Sequence, residues 1–160
     1  MHNTRPVIGI TIGDPAGVGP EIVLGALTSA NVYEQCVPVV IGHTGILRRC
    51  SETTGISAGS LEIISSPRQA KGIYETVEVA HVETPGMQDI EPGQLGRDAG
   101  LASEAFVRRA CELGMAGEID AVRRLDPDQV GNGAQRGMQQ FDAVRLGIGG
   151  RVHGNGIGHQ

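Results

Sequence analysis

Apolar runs of four to seven residues, punctuated by turn formers, set the plan of this chain. Residues 7–12 (VIGITI) are apolar at successive positions and stop at Gly13-Asp14-Pro15, as expected of a strand covered on both faces in a parallel sheet. A helix should follow. Pro20 suits a first helical turn because its missing N–H has no partner there, and Glu21 complements the positive end of the helix dipole. Ile22, Val23, Ala26 and Leu27 then fall on one face. Residues 37–42 (VPVVIG) read as a second strand and 44–53 as a second helix, with Thr44 as its N-cap. LEII at 61–64 and VEVAHVE at 77–83 read as strands, and 84–94 is a loop of turn formers. From Arg97 to Met115 a long helix is predicted, with an apolar stripe of Leu101, Ala105, Val107, Ala110, Cys111 and Leu113. IDAV at 119–122 enters another strand. Strand alternating with helix implies an α/β fold, a parallel sheet with helices on its faces.

Composition narrows the function classes. The 160 residues are 39% hydrophobic and 19% charged, which suits a globular chain rather than a disordered polyelectrolyte. Aromatic residues are only 2%, too few for a base-stacking platform, and a net charge of -5 argues against a general phosphate-backbone binder. No apolar stretch approaches the roughly 20 residues that span a bilayer, and no signal-peptide pattern opens the sequence, so a cytoplasmic protein is expected, without nucleic-acid or membrane partners. Cys36, Cys50 and Cys111 are odd in number and widely spaced, which favours reduced, buried thiols over a disulfide framework or structural zinc. Charge is uneven along the chain. Residues 1–122 carry eight basic and fifteen acidic side chains, whereas 123–160 carry five Arg, three Asp and nine Gly. The chain is therefore divided into an α/β portion, 1–122, and a Gly-rich irregular tail, 123–160.

The segment Thr11 to Ile22 (TIGDPAGVGPEI) concentrates the candidate chemistry. Asp14 follows a strand end, where open α/β sheets bind ligands. Gly17 and Gly19 let backbone N–H groups approach an anion near a helix start, and Glu21 opens that helix. These four are the candidate substrate- or anion-binding residues; the competing reading is a tight βα turn that needs glycines with no ligand at all. Neither a Walker loop nor the Rossmann glycine spacing is present. His43 reads as part of a helix start and His81 as a structural histidine; His153 and His159 lie in the Gly-rich tail, and no metal ligand is assigned. Arg48-Arg49 and Arg108-Arg109 read as solvated helix faces.

TIGDPAGVGPEI closely resembles the amino-terminal motif of the 4-hydroxythreonine-4-phosphate dehydrogenase family of pyridoxal phosphate (vitamin B6) biosynthesis. Residues 93–103 (GQLGRDAGLAS) through 117–122 (GEIDAV) are similar to that family's helix and its Gly-x-Ile-Asp-Ala ending, and 37–49 fits its second βα unit. The resemblance covers about residues 5–122. It implies a partial doubly wound sheet like that of the isopropylmalate and isocitrate dehydrogenases, and a homodimer. It also implies NAD as hydride acceptor, a divalent metal (zinc, magnesium or cobalt) that polarises the hydroxyl of a small phosphorylated hydroxy acid, and decarboxylation of the β-keto acid formed. A paralogue acting on D-threonate or D-erythronate 4-phosphate shares the same motif. After Val122 the family continues into a Thr-Ala-Pro-Ile-Asn-Lys-like segment and a Gly-His-Thr-Glu motif; here the sequence reads RRLDPDQVGNG, as from a shifted reading frame. The expectation is a truncated member that binds neither NAD nor metal and is inactive alone, against the alternative of a noncatalytic α/β fragment or anion-binding module.

Overall fold

The computed structural model describes residues 5–125. In chain order the elements are β1 (Val7–Thr11), α1 (Gly19–Leu27), α2 (Ala30–Gln35), β2 (Val37–Gly42), α3 (Thr44–Thr54), β3 (Ser60–Ile63), β4 (Thr76–His81), α4 (Arg97–Met115) and β5 (Ala121–Arg124). Short 3₁₀ turns at Pro67–Gln69 and Met87–Asp89 interrupt the loops on either side of β4. The strands form one sheet in the order β3-β4-β2-β1-β5, parallel at every pairing. β1 and β2 are buried at every residue, which is why their sequence is a continuous apolar run rather than an alternation.

Both faces of the sheet are covered. Ile8, Ile10, Val40, Val77 and Val79 share a core with Val23, Leu24 and Leu27 of α1 and Ile46 and Leu47 of α3. A second cluster joins Val7, Val37, Val39, Ile41 and Ala80 to Ala110 and Leu113 of α4 and to Ile119. The α/β class and the partial doubly wound sheet thus hold.

Several details differ from the sequence reading. α2 was not foreseen: six residues present only Val32 and Tyr33 to the core, too short a segment to show helical periodicity. The predicted α4 stripe is rotated. Ala99, Ala102, Phe106, Ala110, Leu113 and Gly114 are buried, while Leu101, Val107 and Cys111 face outward. Small residues hold the inner positions because the helix lies close against the sheet. On α1 the buried face is Pro20, Val23, Leu24 and Leu27, with Ile22 and Ala26 half-buried. β3 is an exposed edge. β4 ends at His81, two residues early.

β5 runs through Arg123 and Arg124, so the change of composition at residue 123 does not coincide with an element boundary. Its entry is pinned by Asp120. The Asp120 carboxylate accepts the Val7 N–H at 2.7 Å and the Arg68 guanidinium at 2.9 and 3.2 Å, while the Asp120 N–H donates to the Val7 carbonyl at 2.8 Å. The Arg68 contact holds the Asp120 carboxyl below the usual carboxylate range. The Gly-rich tail from residue 126 onward, including His153 and His159, lies outside the described residues.

Candidate functional site

Parallel pairing places the carboxyl ends of β4, β2 and β1 side by side. That edge is where ligands bind in open α/β sheets. Two groups of candidate residues meet it: the loop after β1, and a cluster at the ends of β2 and β4.

The loop after β1 folds mostly on itself. Asp14 accepts the Ala16 N–H on its carboxylate at 2.9 Å, and its carbonyl accepts the Gly17 N–H at 3.0 Å. The Ala16 carbonyl in turn takes the Gly93 N–H at 2.6 Å, tying this loop to the one before α4. Gly19 is required by a close approach, since a Cβ there would stand 2.0 Å from the Ile12 carbonyl oxygen. Gly17 is under no such constraint. Gly17 and Glu21 line a small cleft of about 100 Å³ together with Arg49 and Cys50, and Arg49 donates to the Ile90 carbonyl at 2.6 Å. Burial raises the Cys50 thiol pKa, so it is not an activated nucleophile. Asp14 is thus drawn into shaping the turn and Gly19 into packing, while Gly17 and Glu21 share an open cleft. Two carboxylates in so short a loop oppose an anion by charge, and the anion-binding role of the four is carried forward only as a proposal.

The second group was underweighted in the sequence. His43, not Thr44, is the N-cap of α3: its Nδ1 accepts the Gly45 N–H at 3.1 Å. The ring can fold back because residue 45 is glycine; a Cβ there would lie 2.9 Å from the His43 Cε1. His81, the last residue of β4, accepts the Thr44 N–H on its own Nδ1 at 3.2 Å, with the Thr44 hydroxyl at the same distance. The first two N–H groups of α3, which have no partner within the helix, are thus capped by two imidazoles. The rings lie 4.6 Å apart, and both Nε2 atoms approach Oε2 of Glu83, at 3.5 Å from His43 and 3.0 Å from His81. Burial lowers the His43 pKa, reinforced by His81 and opposed by Glu83, while the bond from His81 lowers that of Glu83. His81 is hydrogen-bonded at both ring nitrogens, as a structural histidine is. The only legible sign of this group was that His43 and His81 each stand at the end of an apolar strand.

Nitrogen and oxygen atoms of His43, His81 and Glu83 lie within 4.8 Å of one another, a spacing that would admit a cation. Their protons do not fit one. A ligating Nε2 must offer its lone pair, which puts the ring proton on Nδ1 and turns it against the backbone N–H that Nδ1 now accepts. Ligating histidines instead donate that other N–H to a carbonyl or carboxylate. The donor set therefore does not suit the divalent metal that the sequence resemblance implies.

No family model matches the chain. A protein of Symbiobacterium thermophilum carrying the name D-threonate 4-phosphate dehydrogenase is 38% identical over 120 residues, 75% of this chain and 36% of that protein. A 4-hydroxythreonine-4-phosphate dehydrogenase of Desulfosudis oleivorans is 37% identical over 121 residues, 75% of this chain and 35% of its own. Among solved structures, a 4-hydroxythreonine-4-phosphate dehydrogenase from Burkholderia phymatum superposes with a TM-score of 0.69 at 38% identity, covering 76% of this chain and 36% of that one. The chain thus spans little more than a third of these relatives. Over the segment they share, the chain is similar in sequence and in fold to 4-hydroxythreonine-4-phosphate dehydrogenase-like proteins.

Proposed function

We propose that this chain carries part of the framework of an NAD-dependent dehydrogenase for a small phosphorylated hydroxy acid, with 4-hydroxythreonine-4-phosphate, a vitamin B6 precursor, as the first candidate substrate. The observation that carries the reading is the placement of TIGDPAGVGPEI at the carboxyl edge of β1, on a sheet shared at a TM-score of 0.69 with a solved dehydrogenase of that name. D-threonate 4-phosphate is the second candidate, supported by the name of the Symbiobacterium relative. When bound in an intact enzyme, NAD takes up hydride and a divalent metal stabilises charge on the substrate oxygen. The described residues of this chain belong to the framework around that chemistry. Their part is to build the sheet edge, with Asp14 shaping the turn and Gly17 and Glu21 lining the cleft beside it. The reading places the protein in the cytoplasm, in keeping with three free thiols, and takes a homodimer as the intact assembly.

The test is a transplant. Residues 5–122 replace the matching segment of a full-length relative, and the hybrid is incubated with NAD, a divalent metal and each of the two acids. NADH formation from at least one of the acids is expected, as the segment then supplies a working framework. A folded hybrid that forms NADH from neither acid refutes the proposal.

A further inference from the structure

The Nδ1 atoms of His43 and His81 are spent on the backbone N–H groups of Gly45 and Thr44. A neutral imidazole that accepts at Nδ1 carries its proton on Nε2. Both Nε2–H groups then converge on one point, which Oε2 of Glu83 now fills. The donors are the built part of this arrangement. The histidine side chains are 18% and 20% exposed and anchored to the start of α3, whereas that of Glu83 is 75% exposed. From this geometry we infer that His43 and His81 form a receptor for one oxygen of an oxyanion, a carboxylate or a phosphate, with Glu83 as its built-in occupant.

Paired N–H donors aimed at one oxygen are the arrangement by which proteins hold a negative oxygen, and the start of α3 adds positive potential behind the rings. The presence of a carboxylate there shows that the point accepts negative charge. The next residue, Thr84, is nine-tenths buried with a hydroxyl that has no hydrogen-bond partner among the described residues, so the same segment holds an unused donor. Because Glu83 is tethered two residues from His81, it competes with any free anion at an effective concentration on the order of millimolar. Its removal should open the receptor. This inference does not depend on the dehydrogenase reading, since it concerns only the chemistry of the ligand.

The experiment uses the full chain labelled with ¹⁵N-histidine at about pH 7.5, above the ordinary histidine pKa. Long-range ¹H–¹⁵N spectra report which nitrogen of each ring carries the proton, and Nε2–H is expected for both. Inorganic phosphate and acetate are then titrated separately into the parent and into Glu83→Ala. The variant should bind at least one of them about tenfold more tightly, with both Nε2–H signals shifting together; the tighter of the two shows which oxyanion the receptor prefers. The double variant His81→Ala/Glu83→Ala should lose that response while its backbone spectrum stays folded. A proton on Nδ1 of either ring would overturn the inference. So would stoichiometric zinc binding at both Nε2 atoms, or anion binding by Glu83→Ala no tighter than by the parent.

Discussion

Each imidazole at the end of β2 and β4 does two things at once, and the two are coupled through the ring proton. Capping α3 requires a bare Nδ1, so protonating His43 places an N–H where the Gly45 N–H now donates and breaks the cap. Burial and the neighbouring His81 already hold the His43 pKa below its ordinary value of 6.5. The folded chain therefore binds fewer protons at this site than the unfolded chain does. Stability from His43 is full above the unfolded pKa and is lost as pH falls through 6.5 toward the lower folded value, by at most about 1.4 kcal/mol per pH unit. Glu83, whose pKa is lowered by its bond from His81, contributes in a separate window, below the ordinary carboxylate value of 4.5. His43→Asn keeps a capping acceptor without the titration. Thermal melts between about pH 7.5 and 5.5 should show the parent losing stability more steeply than His43→Asn; parallel curves would sink the assignment.

At the scale of elements, what the sequence reveals depends on how each element is buried. β1 and β2 are legible because burial on both faces forces a continuous apolar run. α3 and α4 are legible in extent, because 11 and 19 residues hold several turns of periodic pattern. The face of α4 is not, because four of its six buried positions are Ala or Gly, while Leu101 and Val107 look more hydrophobic and point outward. A hydropathy count ranks side chains by size, but a helix lying close to a sheet selects for small ones. The histidine cluster escapes sequence reading for another reason: residues 43 and 81 are neighbours only through the β2–β4 pairing, which sets Gly42 opposite His81. Phe106 tests the corrected face, being fully buried in the main core. Phe106→Ala should cost about 3–5 kcal/mol in urea unfolding, and Leu101→Ala less than about 1 kcal/mol. Equal losses would restore the stripe expected from hydropathy.

At the scale of the whole molecule, the described fold is a sheet with two edges and an uneven coat. Among the described residues, β3 and β5 each pair on one side only, and β3 presents Ile63 at 63% exposure. Leu95 is 99% exposed and Met115 76%, so apolar surface also lies beside both ends of α4. Open edges and exposed apolar side chains favour association, which the net charge of -5 opposes only weakly at physiological salt. Hydride transfer needs substrate and nicotinamide held in a near-attack geometry, where a misplacement of about 1 Å costs roughly a hundredfold in rate. At the carboxyl edge, Asp14 and the two histidines are committed to backbone N–H groups, and the tautomers that cap α3 turn N–H donors rather than lone pairs toward Glu83. The purified 160-residue chain should therefore form no measurable NADH from 4-hydroxythreonine-4-phosphate or D-threonate 4-phosphate with NAD and a divalent metal, and light scattering should show mass rising with concentration. Turnover within a few-fold of an intact relative, by a monodisperse monomer, would mean that this chain supplies the catalytic groups itself.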